Sequence, residues 1–153
     1  MKTLVIVTCG KQKIWEKHPE MGAVKAADAY SSPYFRAKKK LALATRCDWM
    51  ILSAKYGFLS PDTKIENYDV TFDSKQHISD AALSQQVKEK HLDIYSRVIV
   101  IGAKIYYEYV KKAFKEVNCQ FSFPLKETIG KNNKKIPELI NKITASGNID
   151  DIL

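Results

Sequence analysis

Three short apolar runs constrain this chain more than anything else in it: Thr3–Thr8, Trp49–Leu52 and Arg97–Ile101. Each is rich in β-branched or bulky residues and has the length of a strand buried on both faces. Helical stretches alternate with them, and that alternation implies a parallel sheet covered by helices on both sides. Cys119–Phe123 alternates like a fourth strand and stops at Pro124. The expected architecture is therefore a single three-layer α/β domain over residues 1–145, with a mainly parallel sheet of about four strands. Residues 146–153 read as a C-terminal tail.

The helices carry their own signals. Ser32 before Pro33 marks a start, with a helix from Pro33 to about Arg46, Phe35, Leu41 and Ala44 inward and Lys38-Lys39-Lys40 mostly facing water. Ser79 opens a second helix to Leu92, with Ala82, Leu83 and Val87 inward. Ile105–Val117 is amphipathic and bears Tyr106, Tyr107 and Tyr109, a cluster suited either to packing or to stacking on bases. A closing helix is expected from Asn132 to Thr144. The segments Ile14–Ala27 and Asp62–Phe72 read as irregular, the second ordered by Tyr68 and Phe72.

At 153 residues the chain has one domain's worth of core, and its charged fraction of 27% is ordinary for a globular protein. No run reaches membrane-spanning length, and Met1-Lys2 leads directly into strand-like sequence, so no membrane partner and a cytoplasmic location are expected. Cys9, Cys47 and Cys119 show no metal-like spacing, and reduced thiols are expected. His77 and His91 lack partners at ligand spacing, so no metal site is expected. The net charge of +8 favours anionic partners such as nucleotides or nucleic acid, although lysine also serves solvation alone.

Function is expected where the strands end. Four strand ends, at Cys9-Gly10, Ser53-Ala54-Lys55, Gly102 and Pro124, should share the carboxyl edge of the sheet, the edge at which open α/β sheets bind ligands. There Gly10 allows close backbone approach, and Lys11 and Lys13 suit an anion. Cys9 reads either as a thiolate nucleophile or as a small buried residue at a strand end. Ser53, Lys55, Tyr56 and Gly57 follow the second strand. Tyr68 and Asp69 lie beyond it, the acid being a general base, a ribose ligand or a turn residue. Neither a phosphate-loop motif nor a dinucleotide fingerprint is present, and no cofactor is expected.

Cys9-Gly10-Lys11-x-Lys13, Tyr30-Ser31-Ser32-Pro33-Tyr34-Phe35, Ile51-Leu52-Ser53-Ala54-Lys55-Tyr56-Gly57, Pro61, Ile65 and Tyr68-Asp69 together resemble the DUF6884 family of small proteins. More distantly, the Leu-Ser-x-x-Tyr-Gly…Pro…Tyr arrangement is similar to the YaaA (DUF328) peroxide-stress proteins, which bind DNA. Cys9 and Lys13 also match the opening of a motif in the archaeosine synthase DUF5591 domain, where Ile14-Trp15 replace its following Pro-Tyr. The resemblance implies a uracil-DNA-glycosylase-like α/β fold and a setting in nucleobase or nucleic-acid metabolism. On that basis the expected activity is an enzyme acting on a nucleobase, nucleotide or nucleic acid. Cys9, Lys55 and Asp69 would be catalytic, and Gly10, Lys11, Lys13, Ser53, Tyr56, Gly57, Tyr68 and Gly102 would bind substrate. The alternative is a basic nucleic-acid-binding protein without catalysis.

Overall fold

The computed structural model describes residues 2–152; Met1 and Leu153, the outer ends of the expected domain and tail, lie outside the described residues. Strand β1 (Thr3–Thr8) is followed by a 3-10 turn at Ile14–Glu16, strand β2 (Val24–Lys25) and the short helix α1 (Ala26–Ala29). Helix α2 (Pro33–Ala44) starts where the Ser32 hydroxyl accepts the Phe35 N–H and proline occupies the first turn. Strands β3 (Asp48–Ser53), β4 (Gly57–Leu59) and β5 (Lys64–Ile65) come next. Helix α3 (Asp80–Glu89), capped by Ser79, precedes β6 (Arg97–Ile101) and α4 (Lys104–Ala113). Strand β7 (Gln120–Ser122) and helix α5 (Ile129–Ser146) complete the set.

The main sheet has five strands in the order β4-β3-β1-β6-β7. Strands β3, β1, β6 and β7 run parallel to one another, as the sequence suggests. β1 is central and buried along its whole length. Its residues divide by the pleat: Val5 and Val7 face α2 and α5, while Leu4 and Ile6 face α3 and α4. Phe35, Leu41, Ile136 and Leu139 close the first core, and Leu83, Val87, Val110 and Phe114 close the second.

Several expectations need correcting. The sheet has five strands rather than about four, because Ser53–Gly57 is a hairpin turn that folds β4 back antiparallel onto β3. Gly57 takes φ +74°, a conformation cheap only for glycine. Gln86 of α3 then holds the turn, accepting the Phe58 N–H and donating to the Tyr56 carbonyl. The two irregular segments also meet, as β2 pairs antiparallel with β5. On the inner face of α2 the buried alanine is Ala42, whereas Ala44 is half-buried. Lys38 does not face water: it is 3% exposed.

Helix α5 is longer than Asn132–Thr144. Its cap is Thr128, whose hydroxyl accepts the Lys131 N–H, and its stop is Gly147 in the left-handed region. Helix α4 is shorter than expected and ends at Ala113. Beyond α5 the chain makes one further turn, in which Asp150 accepts a hydrogen bond from Arg97 at 2.6 Å. No helix among the described residues is long and apolar enough to cross a membrane.

Candidate functional site

The connection after β1 leads to β3 on one side, and the chain then crosses back to β6 on the other. The loops leaving β1 and β6 therefore diverge, and such a switch point leaves a crevice at the carboxyl edge of the sheet. A cavity of about 510 Å3 fills it, within the usual range for small-molecule pockets. Thr8, Cys9, Gly10 and Lys11 supply the β1 wall. The first turns of three helices contribute Tyr34 of α2, Lys104 and Tyr106 of α4, and Ile129 and Asn132 of α5, and the segment between β7 and α5 adds Phe123, Leu125 and Glu127. Helix N-termini carry partial positive charge and unsatisfied N–H groups.

Lys38 lines this cavity and is almost fully buried, and the way it is held is informative. Its ammonium donates to the Thr8 carbonyl and to the Thr8 hydroxyl, each at 3.0 Å, and lies 4.6 Å from the centre of the Tyr34 ring. Thr8 can be reached because Gly102 has no side chain: a Cβ there would overlap the Thr8 side chain. No carboxylate forms an ion pair with Lys38 among the described residues. Burial without a counter-charge pulls its amine down to about 8, and nearby Cys9 only partly opposes the shift.

Cys9 is half-buried, with its sulfur 3.8 Å from the Tyr106 hydroxyl. Its backbone N–H donates to the Leu52 carbonyl, which anchors the start of the loop to β3. Burial, with a contribution from Cys9, pushes the Tyr106 phenol well above its ordinary range. Asn132 is buried and structural in its contacts. It donates to the Tyr34 hydroxyl and to the carbonyls of Leu125 and Glu127, fastening the segment before α5 to the mouth of the cavity.

The other expected site residues form a second cluster. Ser53 is fully buried; its hydroxyl donates to the Tyr68 oxygen at 2.9 Å and accepts the N–H groups of Lys55 and Tyr56. The Tyr68 and Tyr30 hydroxyls are 2.5 Å apart. Lys13, 8% exposed, lies 4.4 Å from the Tyr68 ring centre. Burial and then proximity to Cys9 raise both phenols far above their usual values. Tyr56 meets Tyr68 edge to face and donates to the Glu66 carbonyl, while Lys55 is exposed above the Tyr56 ring.

The structure thus brings Cys9, Gly10 and Lys11 together in the cavity, with Gly102 behind its wall. Ser53, Tyr68 and Lys13 are joined in a packed network beside it. Gly57 is turned toward Gln86, and Asp69 is exposed; neither residue lines the cavity. Lys38, Tyr34 and Asn132 are cavity residues that sequence reasoning missed. A signal for Lys38 was present: it lies three residues after Phe35 and three before Leu41, on the apolar stripe of α2. Among the described residues, no three His, Cys, Asp or Glu side chains cluster as a metal would require.

The buried amine also predicts a pH dependence. Between about pH 8 and the ordinary lysine value, the folded chain holds fewer protons at Lys38 than the unfolded chain. This group's contribution to stability therefore rises with pH through that window and is least favourable below it. Relative to Lys38→Met, the wild type should gain about 2 kcal/mol from pH 7 to 9.5 in denaturant titrations. Equal slopes for the two proteins would refute the assignment.

These features define a small α/β protein with a ligand-sized crevice at the switch point of a mainly parallel sheet. A model of the family of unknown function DUF6884 matches residues 4–136, and the chain belongs to that family. It is 41% identical over 109 residues to the uncharacterized protein YfjM of Bacillus subtilis (strain 168). That match covers 69% of this chain and 73% of the relative.

Proposed function

We propose that this protein is an enzyme of nucleobase or nucleotide chemistry, working on a small substrate held in the crevice between β1 and β6. One observation carries the reading: a thiol, a buried amine and aromatic walls converge where this class of sheet binds ligands. Tyr34, Tyr106 and Phe123 offer flat faces for a base, and Cys9 is the nucleophile or proton-transfer group at its edge. Gly10 and Lys11 take part through the loop that bears them. Lys55 and Asp69, outside the cavity, take part only with a substrate that extends over the hairpin. A uracil-DNA-glycosylase-like ancestry and a cytoplasmic setting belong to the same reading.

The test is a thermal-shift screen against nucleobases, nucleosides, nucleotides and short oligonucleotides. A ligand at about a hundredfold over its Kd should stabilise by roughly 2.7 kcal/mol. Cys9→Ser should then retain binding and lose turnover of that ligand. A small-molecule hit processed equally by Cys9→Ser would remove the thiol from the mechanism.

A second reading has its own observation. Arg36, Lys40 and Arg46 line a groove of about 1190 Å3 between α2 and α5, and none is in an ion pair among the described residues. A non-catalytic nucleic-acid-binding protein would use such a surface. Oligonucleotide binding that weakens steeply with salt and survives Cys9→Ser would favour that reading.

A further inference from the structure

We infer that the crevice takes a ligand ending in a phosphate monoester, and that this terminal phosphate seats against the buried Lys38. The inference rests on the small-molecule reading above and narrows it, from nucleobase compounds in general to those bearing a terminal phosphate.

The charge balance of the cavity leads there. Lys38 is 3% exposed and lines the cavity; the one acid in the lining, Glu127, pairs with Lys131 at 3.8 Å, and no acidic side chain pairs with Lys38 among the described residues. A buried cation with neither counter-ion nor full solvation is expensive, and such charges are normally paired. The ammonium has three N–H donors. Thr8 accepts two of them, and the third, with only the Tyr34 ring face 4.6 Å away, can turn to a ligand.

The backbone around the cavity points the same way. Helix α4 begins without a side-chain cap, so the N–H of Lys104 keeps the positive end of the helix open. Among the described residues no acceptor meets the N–H of Gly10 or Lys11 either, and these two residues form the opposite wall. The anion the cavity lacks is one that accepts several hydrogen bonds at once, as the oxygens of a phosphate do.

Depth separates a terminal phosphate from a phosphodiester. Lys38 is 3% exposed and lies one turn further into α2 than Tyr34, and a polynucleotide strand would have to carry both flanking nucleosides toward it with each internal phosphate. A single terminal group enters alone. A nucleoside monophosphate places its phosphate on Lys38 and its base against the aromatic walls.

The experiment is calorimetric titration of the full chain with a nucleoside, its 5′-monophosphate and inorganic phosphate, for whichever base gives a signal. Wild type should hold the monophosphate at least about tenfold more tightly than the nucleoside, as a charge-assisted contact requires. Lys38→Met should bring the monophosphate down to the nucleoside's affinity and leave the nucleoside within about twofold. Lys38→Gln, which keeps a donor for Thr8, guards against a folding defect.

Equal affinity of wild type for nucleoside and monophosphate would overturn the inference while sparing the small-molecule reading. So would full monophosphate affinity in both Lys38 variants. Inorganic phosphate binding that the variants abolish, with no nucleoside or nucleotide bound, would uphold the phosphate seat and overturn the nucleobase reading. Silence from all three probes would overturn both.

Discussion

Replacing Gly102 by alanine should cost this protein about 3 kcal/mol, toward the upper end for overpacking a tight core. The reason lies between two central strands. A methyl group at Gly102 would occupy the space of the Thr8 side chain, including its Cβ, which cannot swing aside as the end of a long side chain can. β1 and β6 are paired in register up to Val7 and Ile101, one residue before this contact, so there is little freedom to separate them. The damage should extend to the cavity, since Thr8 holds the Lys38 amine. Thr8→Ala removes two of the three overlapping atoms. The double variant should therefore be more stable than the two single changes predict, with a coupling of about 1 kcal/mol. Urea denaturation of the four proteins measures it. A Gly102→Ala protein within about 0.5 kcal/mol of wild type would show that the strand ends part easily.

Tyr68→Ala should be as damaging, at about 4 kcal/mol, in the range for truncating a buried aromatic. Tyr68 is 8% exposed and is the point at which the segment after β5 is fastened to the sheet edge. Its hydroxyl meets both Tyr30 and Ser53, its ring meets Tyr56 edge to face, and Lys13 lies over it. Tyr68→Phe keeps the ring contacts and loses only the hydroxyl, so about 1 kcal/mol is expected. The pair of substitutions also separates two roles. If Tyr68 binds substrate through its hydroxyl, the phenylalanine variant loses ligand affinity while remaining folded. If it anchors the loop, affinity follows stability, and the alanine variant alone is impaired. A Tyr68→Ala protein as stable as wild type would dismiss the anchor.

Much of the scaffold was legible because it depends on patterns local in sequence. The β-branched runs mark the buried parallel strands, and Ser32-Pro33 and Ser79 mark helix starts through the N–H groups they satisfy or make unnecessary. That Cys9, Gly10 and Lys11 lie at the cavity was legible because a loop at the carboxyl end of a central strand is a general ligand position. Strand β4 was missed because three residues between a turn and a loop leave no periodicity to detect. The pairing of β2 with β5 was missed for the same reason, two residues on each side being too few.

The sequence by itself determined the order of strands and helices, the apolar faces that had to be buried, and the glycines that make tight turns possible. Only the tertiary structure decided which strand ends are neighbours, because strand order depends on the direction of each crossover rather than on any one segment. That choice placed β1 beside β6 and opened the crevice between them. It also gave adjoining residues of that sheet edge different surroundings, leaving Ser53 and Tyr68 packed together while the neighbouring Cys9 faces a cavity. Lys38 shows the distinction most clearly. Within Lys38-Lys39-Lys40 the three residues are chemically alike, and the rotation of α2 against the sheet leaves Lys40 in water, half-buries Lys39 and buries Lys38. Burial, a property of the packed molecule, is what sets one of three similar lysines apart as the cation enclosed in the crevice wall.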